Sequence, residues 1–150
     1  MPRPVSFETT IEVRDTCLCL HVQRAARVLA RRFDEALAPF GLSNKQFSLL
    51  MALNRPEPPP LGPVATLLGM DRTTLTAALK PLERESLVEI RPDPRDKRSR
   101  LLALTDAGGA ALARAVPTWR AMHRDIENGL GASSADTLRK GLSAVSKLDV

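Results

Sequence analysis

The chain has 150 residues, room for one well-packed domain and little more. Its 22 Lys and Arg against 17 Asp and Glu leave a formal charge of +5, which permits an anionic partner without proving one. No stretch approaches the roughly 18 uninterrupted apolar residues of a membrane span, two cysteines are too few for a disulfide scaffold, and the start shows no secretory pattern, so a cytoplasmic address is expected.

The first fourteen residues include Pro2 and Pro4, show no sustained period, and read as an arm. From about Thr16 to Pro39 the apolar positions are Leu18, Val22, Ala25, Leu29, Phe33 and Ala36, with Phe40 just beyond. Steps of three and four predict one long amphipathic helix of roughly 35 Å, ended by Gly41. Arg24, Arg27, Arg31 and Arg32 fall to one side of it, most simply as a solvated face. Ser43 with Gln46 resembles a capping box opening a second helix, with Phe47, Leu50 and Met51 facing inward. Pro56, Pro58, Pro59 and Pro60 then forbid helix. A third, short helix holds Val64, Leu67 and Leu68 and ends at Gly69. Asp71 caps a fourth, and Met70 with Leu75 forms a hydrophobic staple. Ala65, Gly69 and Leu75 are the small residue, turn glycine and buried branched residue of a helix-turn-helix.

The fourth helix, DRTTLTAALKPLERESL, runs into a strand VEIRP, a basic turn DPRDKRSR and a second strand LLALT. Leu75, Leu79 and Leu82 should face the core. Arg72, Thr73, Thr74, Thr76, Ala77 and Lys80 are then candidates for an outer face that reads bases and phosphates. From Arg91 to Arg100 the chain carries five basic residues and two aspartates. A helix that fits a major groove beside a charged hairpin that reaches a minor groove points to double-stranded DNA. Asp93 is placed to cap the turn backbone and Asp96 to pair with a neighbouring arginine. After the hairpin, Thr105 caps a fifth helix through about Glu127, broken or bent near Pro117. Ser133 opens a sixth, with Leu138, Leu142, Val145 and Leu148 on one side.

The expected fold is mainly α with a small β-wing in a single domain, 1–150. A winged helix-turn-helix over about 43–105 is flanked by dimerisation helices at about 16–40 and 106–148. The apolar stripes of those flanking helices exceed what so small a core can cover, and a second copy of the chain is the natural cover. Five aromatics (Phe7, Phe33, Phe40, Phe47 and Trp119) are too few for the stacking platforms of single-strand binders. An enzyme is not expected. The chain shows no Ser/His/Asp order, no phosphate-cradling glycine loop and no paired carboxylates beyond ordinary scatter. A winged helix that binds protein is the competing class, and arginines concentrated at the wing argue for DNA.

The segment GPVATLLGMDRTTLTAALKPLERESLV, the wing Asp93-Pro94-Arg95-Asp96-Lys97-Arg98 and the following LLALTDAG resemble the MarR family of bacterial transcriptional regulators, as does nearly the whole chain. The resemblance implies a homodimeric, triangular winged-helix protein on a pseudo-palindromic operator, usually repressing and usually released by a small molecule or an oxidant. It places Arg95 at the minor-groove tip and Lys97 beside it. Arg98 goes either to DNA or to an internal salt bridge holding the wing. It further implies a cleft between the dimer helices and the winged helix for a phenolic or other amphipathic anion. Phe33, Phe47, Met51 and Trp119 are candidates to line it, with Arg24 as anion partner; core packing explains the four apolar residues equally well.

Cys17-Leu18-Cys19-Leu20-His21 invites a metal reading, but residues two apart on one helix diverge by about 200°. Neither a metal nor another cofactor is therefore expected, and a disulfide between the two cysteines inside an intact helix is disfavoured. The hydroperoxide-responsive branch of the family carries a reactive cysteine near the start of its first helix. The resemblance sets Cys19 on that position, with Cys17 as second candidate thiol. That branch supports its cysteine with tyrosine hydroxyls, where this chain has Gln23, Phe33 and Asn44.

Overall fold

The structure is a computed structural model that describes residues 4–148. Seven helices and one hairpin follow in order among these residues: α1 (Phe7–Thr16), α2 (Leu18–Leu37), α3 (Asn44–Leu53), α4 (Leu61–Leu68), α5 (Arg72–Arg84), β1 (Val88–Asp93), β2 (Asp96–Leu104), α6 (Asp106–Leu130) and α7 (Ala132–Ser146). None is long and apolar enough to cross a membrane.

The expected arm is a helix over most of its described length. Ser6 caps α1 by accepting from the Thr9 amide, and Glu8 sits in its first turn. α1 buries no residue, so it leaves no apolar period to detect. The chain then breaks at Cys17 (φ −67°, ψ 110°), whose sulfur accepts from the Leu20 amide, and α2 begins at Leu18 rather than Thr16. α2 tightens into a 3₁₀ turn over Ala38–Phe40 and stops at Gly41, which takes the left-handed conformation (φ 72°) that glycine adopts without steric cost.

The Ser43–Gln46 capping box opens α3 as expected. Phe47 and Leu50 are buried, but Met51 is 40 % exposed; Leu49, Ala52 and Leu53 fill the core side instead. On α4 the same exchange places Ala65 in the core and leaves Leu67 outside. Gly69 turns the chain (φ 64°) and Asp71 starts α5. The core lies where α3, α4, α5 and the hairpin pack against the end of α2 and the start of α6, and there Leu37, Leu42, Leu50, Leu53, Val64, Leu75, Leu79, Leu82, Val88, Leu102 and Leu112 meet. Each fully buried leucine contributes about 2 kcal/mol.

The hairpin pairs Val88 with Leu104, Ile90 with Leu102 and Pro92 with Arg100, then slips so that Asp93 faces Asp96. β2 therefore begins five residues earlier than the apolar pattern suggests (Asp96 against Leu101), and only Pro94 and Arg95 form the tip. The proline run supplies a third, short edge, with Pro60 bridged to Leu101 and the Leu102 amide donating to the Pro59 carbonyl. Proline cannot donate to such a ladder, but its carbonyl accepts.

The C-terminal helices differ from expectation at two points. α6 is not broken at Pro117 but continues through it, with the proline ring exposed between buried Ala115 and half-buried Trp119. α7 is opened by Gly131 (φ 85°) with no side-chain cap, which leaves Ser133 inside the helix. At the other end of α6, Thr105 caps as expected. The start of α6 lies so close to the preceding loop that a Cβ on Gly108 would stand 2.2 Å from the Leu87 carbonyl oxygen. Outside the core, α1, α2 and α7 expose Phe7, Val13, Leu18, Val22, Leu138, Leu142 and Val145, and Leu148 is exposed just beyond α7.

Candidate nucleic-acid interface

α5 is positioned from below by Leu75, Leu79 and Leu82, each essentially inaccessible. Its outer face presents Arg72, Thr73, Thr74, Thr76, Ala77 and Lys80, all exposed. At 100° per residue, Thr73, Ala77, Lys80 and Arg84 form the line farthest from the core, with Thr74 and Thr76 on the flanks. Arg84 was missed in the sequence, although its step of four from Lys80 carries the signal. Asp71 accepts from the Thr74 amide at 2.7 Å and from the Thr74 hydroxyl at 3.0 Å. These bonds, the backbone one first, hold its carboxyl below the ordinary carboxylate range. The Thr76 hydroxyl donates to the Arg72 carbonyl at 2.8 Å. Arg72 itself lies against α4, where a Cβ on Gly62 would be 3.2 Å from its Nη2.

In the wing, Asp93 accepts from the Arg95 amide and Asp96 from the Arg98 amide, each at 2.9 Å. Asp96 thus holds backbone rather than an arginine side chain. Both aspartates order the turn, and neither neutralises a wing cation. Arg95, Lys97 and Arg98 are exposed and have no carboxylate partner among the described residues. The internal salt bridge considered for Arg98 is not formed there. Lys97 and Arg98 lie on β2, not in the turn. Arg91, by contrast, pairs with Glu89 at 2.9 Å.

Two cavities flank Trp119. One of about 670 Å³ opens between α3, α4 and α6 and is lined by Phe47, Met51, Leu67, Leu112, Val116, Trp119 and Arg120. The other, about 310 Å³, lies between α2, α3, α6 and α7 and includes Leu29, Phe33, Phe47, Trp119, His123, Glu127 and Arg139. Of the four expected lining residues, Met51 lines the first, Phe33 the second, and Phe47 and Trp119 both. Arg24 lines neither: it stands exposed on α2. The cations at hand are Arg120 and Arg139, and Arg139 already pairs with Glu127 and Asp136. Trp119 stacks on Phe47 (6.1 Å between centroids) and on His123 (4.9 Å).

The two cysteines do not share one helix, because Cys17 caps α2 from outside it. Cys19 is exposed and accepts a hydrogen bond from the Gln23 side-chain amide at 3.2 Å. Gln23 thus supplies a donor where a tyrosine hydroxyl was missed. Asn44 does not help; both its amides donate to Asp34. Among the described residues no group of three or more His, Cys, Asp or Glu is gathered as for a metal ion.

A helix-turn-helix braced by a two-stranded wing, with cations free at both, defines a winged helix-turn-helix protein. Residues 42–99 match the model of the MarR family. The transcriptional activatory protein BadR of Rhodopseudomonas palustris is 33 % identical over 94 residues, 61 % of this chain and 54 % of that protein, so the match spans about half of the relative's length. The M. tuberculosis transcriptional regulator MosR in complex with DNA superposes with a TM-score of 0.80 at 33 % identity, over 88 % of this chain and 95 % of that one. The transcriptional repressor CouR bound to a 23-mer DNA duplex gives 0.79 at 32 % identity, over 90 % of this chain and 96 % of that one. The chain belongs to the MarR family.

Proposed function

We propose that the protein is a sequence-specific transcriptional regulator of the cytoplasm and not an enzyme. It acts as a homodimer, represses from a pseudo-palindromic operator, and is released by a small amphipathic molecule. The winged helix (about 43–105) binds DNA, and the helices before and after it (about 16–40 and 106–148) hold the dimer. The observation that carries the reading is the unpaired wing, Arg95, Lys97 and Arg98, beside the exposed face of α5. Cations left without internal partners are free to replace counterions on phosphate. Two-fold pairing of such units explains a palindromic site.

The test is the salt dependence of duplex binding. Affinity should fall steeply with salt, and Arg95→Ala should lower the slope of log K against log salt by about 0.9 for each bound protomer. An unchanged slope removes Arg95 from the interface. No retention on random DNA or heparin would favour a protein-binding winged helix instead. For the effector, the larger cavity with exposed Arg120 suits an amphipathic anion better than the smaller one, where Glu127 and Asp136 already hold Arg139.

A second reading of the signal is supported by Gln23 and by the break at Cys17. A hydroperoxide oxidises the Cys19 thiol to a sulfenic acid and leaves as the alcohol. Condensation with the Cys17 thiol then expels water and forms a disulfide. With Cys17 outside α2, the objection from divergence within one helix no longer applies. Hydroperoxide should weaken duplex binding by wild type and leave Cys19→Ser unaffected; an equal response in both removes this signal.

A further inference from the structure

Two of the three threonine hydroxyls on α5 cannot meet DNA as donors, because the fold has already oriented them. Thr76 donates to the Arg72 carbonyl and Thr74 to the Asp71 carboxylate. A carbonyl and a carboxylate only accept, so both threonine protons point back into the helix. Each side chain keeps lone pairs and a methyl group for an outside partner. Turning either proton outward breaks a bond already made. Ala77, next to Thr76 and on the outermost line, adds only a methyl.

Major-groove edges sort sharply against such a residue. Adenine and cytosine offer amino donors there. Guanine offers only the acceptors N7 and O6, and thymine offers O4 and its C5-methyl. Thr76 facing guanine sets lone pair against lone pair. An A·T pair matches both things Thr76 has left, an amino group for its oxygen and a methyl for its methyl.

Resting on the DNA-binding reading above, we propose that Thr76, with Ala77, makes the middle of α5 a reader of A·T pairs. The Thr76 oxygen accepts from the adenine N6 amino group, its methyl packs on the thymine methyl, and guanine is refused at that position. Guanine and phosphate fall to the groups that still have protons to give. These are Lys80 and Thr73, whose hydroxyl has no partner among the described residues.

The full chain is offered a random-sequence duplex pool, and the retained consensus is read. In that duplex, adenines are replaced singly by purine, thymines by uracil and guanines by 7-deazaguanine. Each duplex is titrated with wild type, Thr76→Val and Thr76→Ser. Position 76 is exposed, Thr76→Val keeps the shape of the side chain and Thr76→Ser removes only its methyl, so folding is preserved. One adenine-to-purine change should weaken wild type about five- to tenfold and leave Thr76→Val unaffected. One thymine-to-uracil change should weaken wild type and Thr76→Val about two- to fivefold while sparing Thr76→Ser. Coupling of Thr76 to 7-deazaguanine, or equal losses in all three proteins, overturns the proposal. Binding without any consensus overturns it too, while DNA binding stands. A pool from which nothing is retained sinks the DNA-binding reading itself.

Discussion

Gly108 shows how one residue can fix a junction. Its missing side chain lets α6 start against the Leu87 carbonyl, and a Cβ would also stand 2.7 Å from Leu104 Cδ1. The neighbouring atom is backbone and cannot swing aside. Gly108→Ala should therefore cost about 1–3 kcal/mol in denaturant unfolding; a midpoint equal to wild type would mean that the junction yields. At this scale the sequence is legible in kind but not in orientation. Residue types alone placed threonines on the outer face of α5 and aspartates in the wing. Only the structure shows that the Thr74 and Thr76 protons turn inward, and that Asp96 serves an amide rather than a guanidinium. Such choices depend on a few tenths of an ångström, which spacing along a chain does not encode.

Between elements, Asp34 ties α2 to the start of α3. One carboxylate oxygen accepts from the Asn44 amide at 2.7 Å and from its side chain at 2.8 Å. The backbone bond first, then the side-chain bond, lowers the carboxyl pKa. A lowered folded pKa means that the stabilisation is complete above the unfolded value and lost as pH falls through the folded one. Asp34→Ala should cost about 1 kcal/mol at neutral pH, and its deficit should close below about pH 4. Unfolding curves at both pH values check this, and a deficit that persists in acid would assign it to packing. α3 to α6 were legible because each buries a face, and α2 because its apolar stripe keeps the helical period although only Leu37 is fully buried. α1 buries nothing and left only a cap, and β2 outran its apolar residues because hydrogen bonds, not burial, carry it to Asp96.

For the molecule as a whole, α1, α2 and α7 leave Leu and Val side chains exposed that no described residue covers. Val145 is half exposed and lines neither cavity. Val145→Glu should shift the protein toward a monomer in sedimentation. It should also weaken binding to a two-half-site duplex by about 100-fold or more, through loss of bivalence, while a single half-site is bound as before. A variant that stays dimeric would move the interface elsewhere. The stripes were visible in the sequence, which holds no trace of the shape that covers them.

Trp119 and Phe47 belong to both cavities, so the two spaces share one partition of stacked rings. A ligand that displaced the indole from one side would narrow the other. Two compounds lodged on opposite sides would then antagonise each other without touching, and thermodynamic reciprocity makes that antagonism equal in both directions. A protein built this way would compare two bound compounds instead of merely adding their effects.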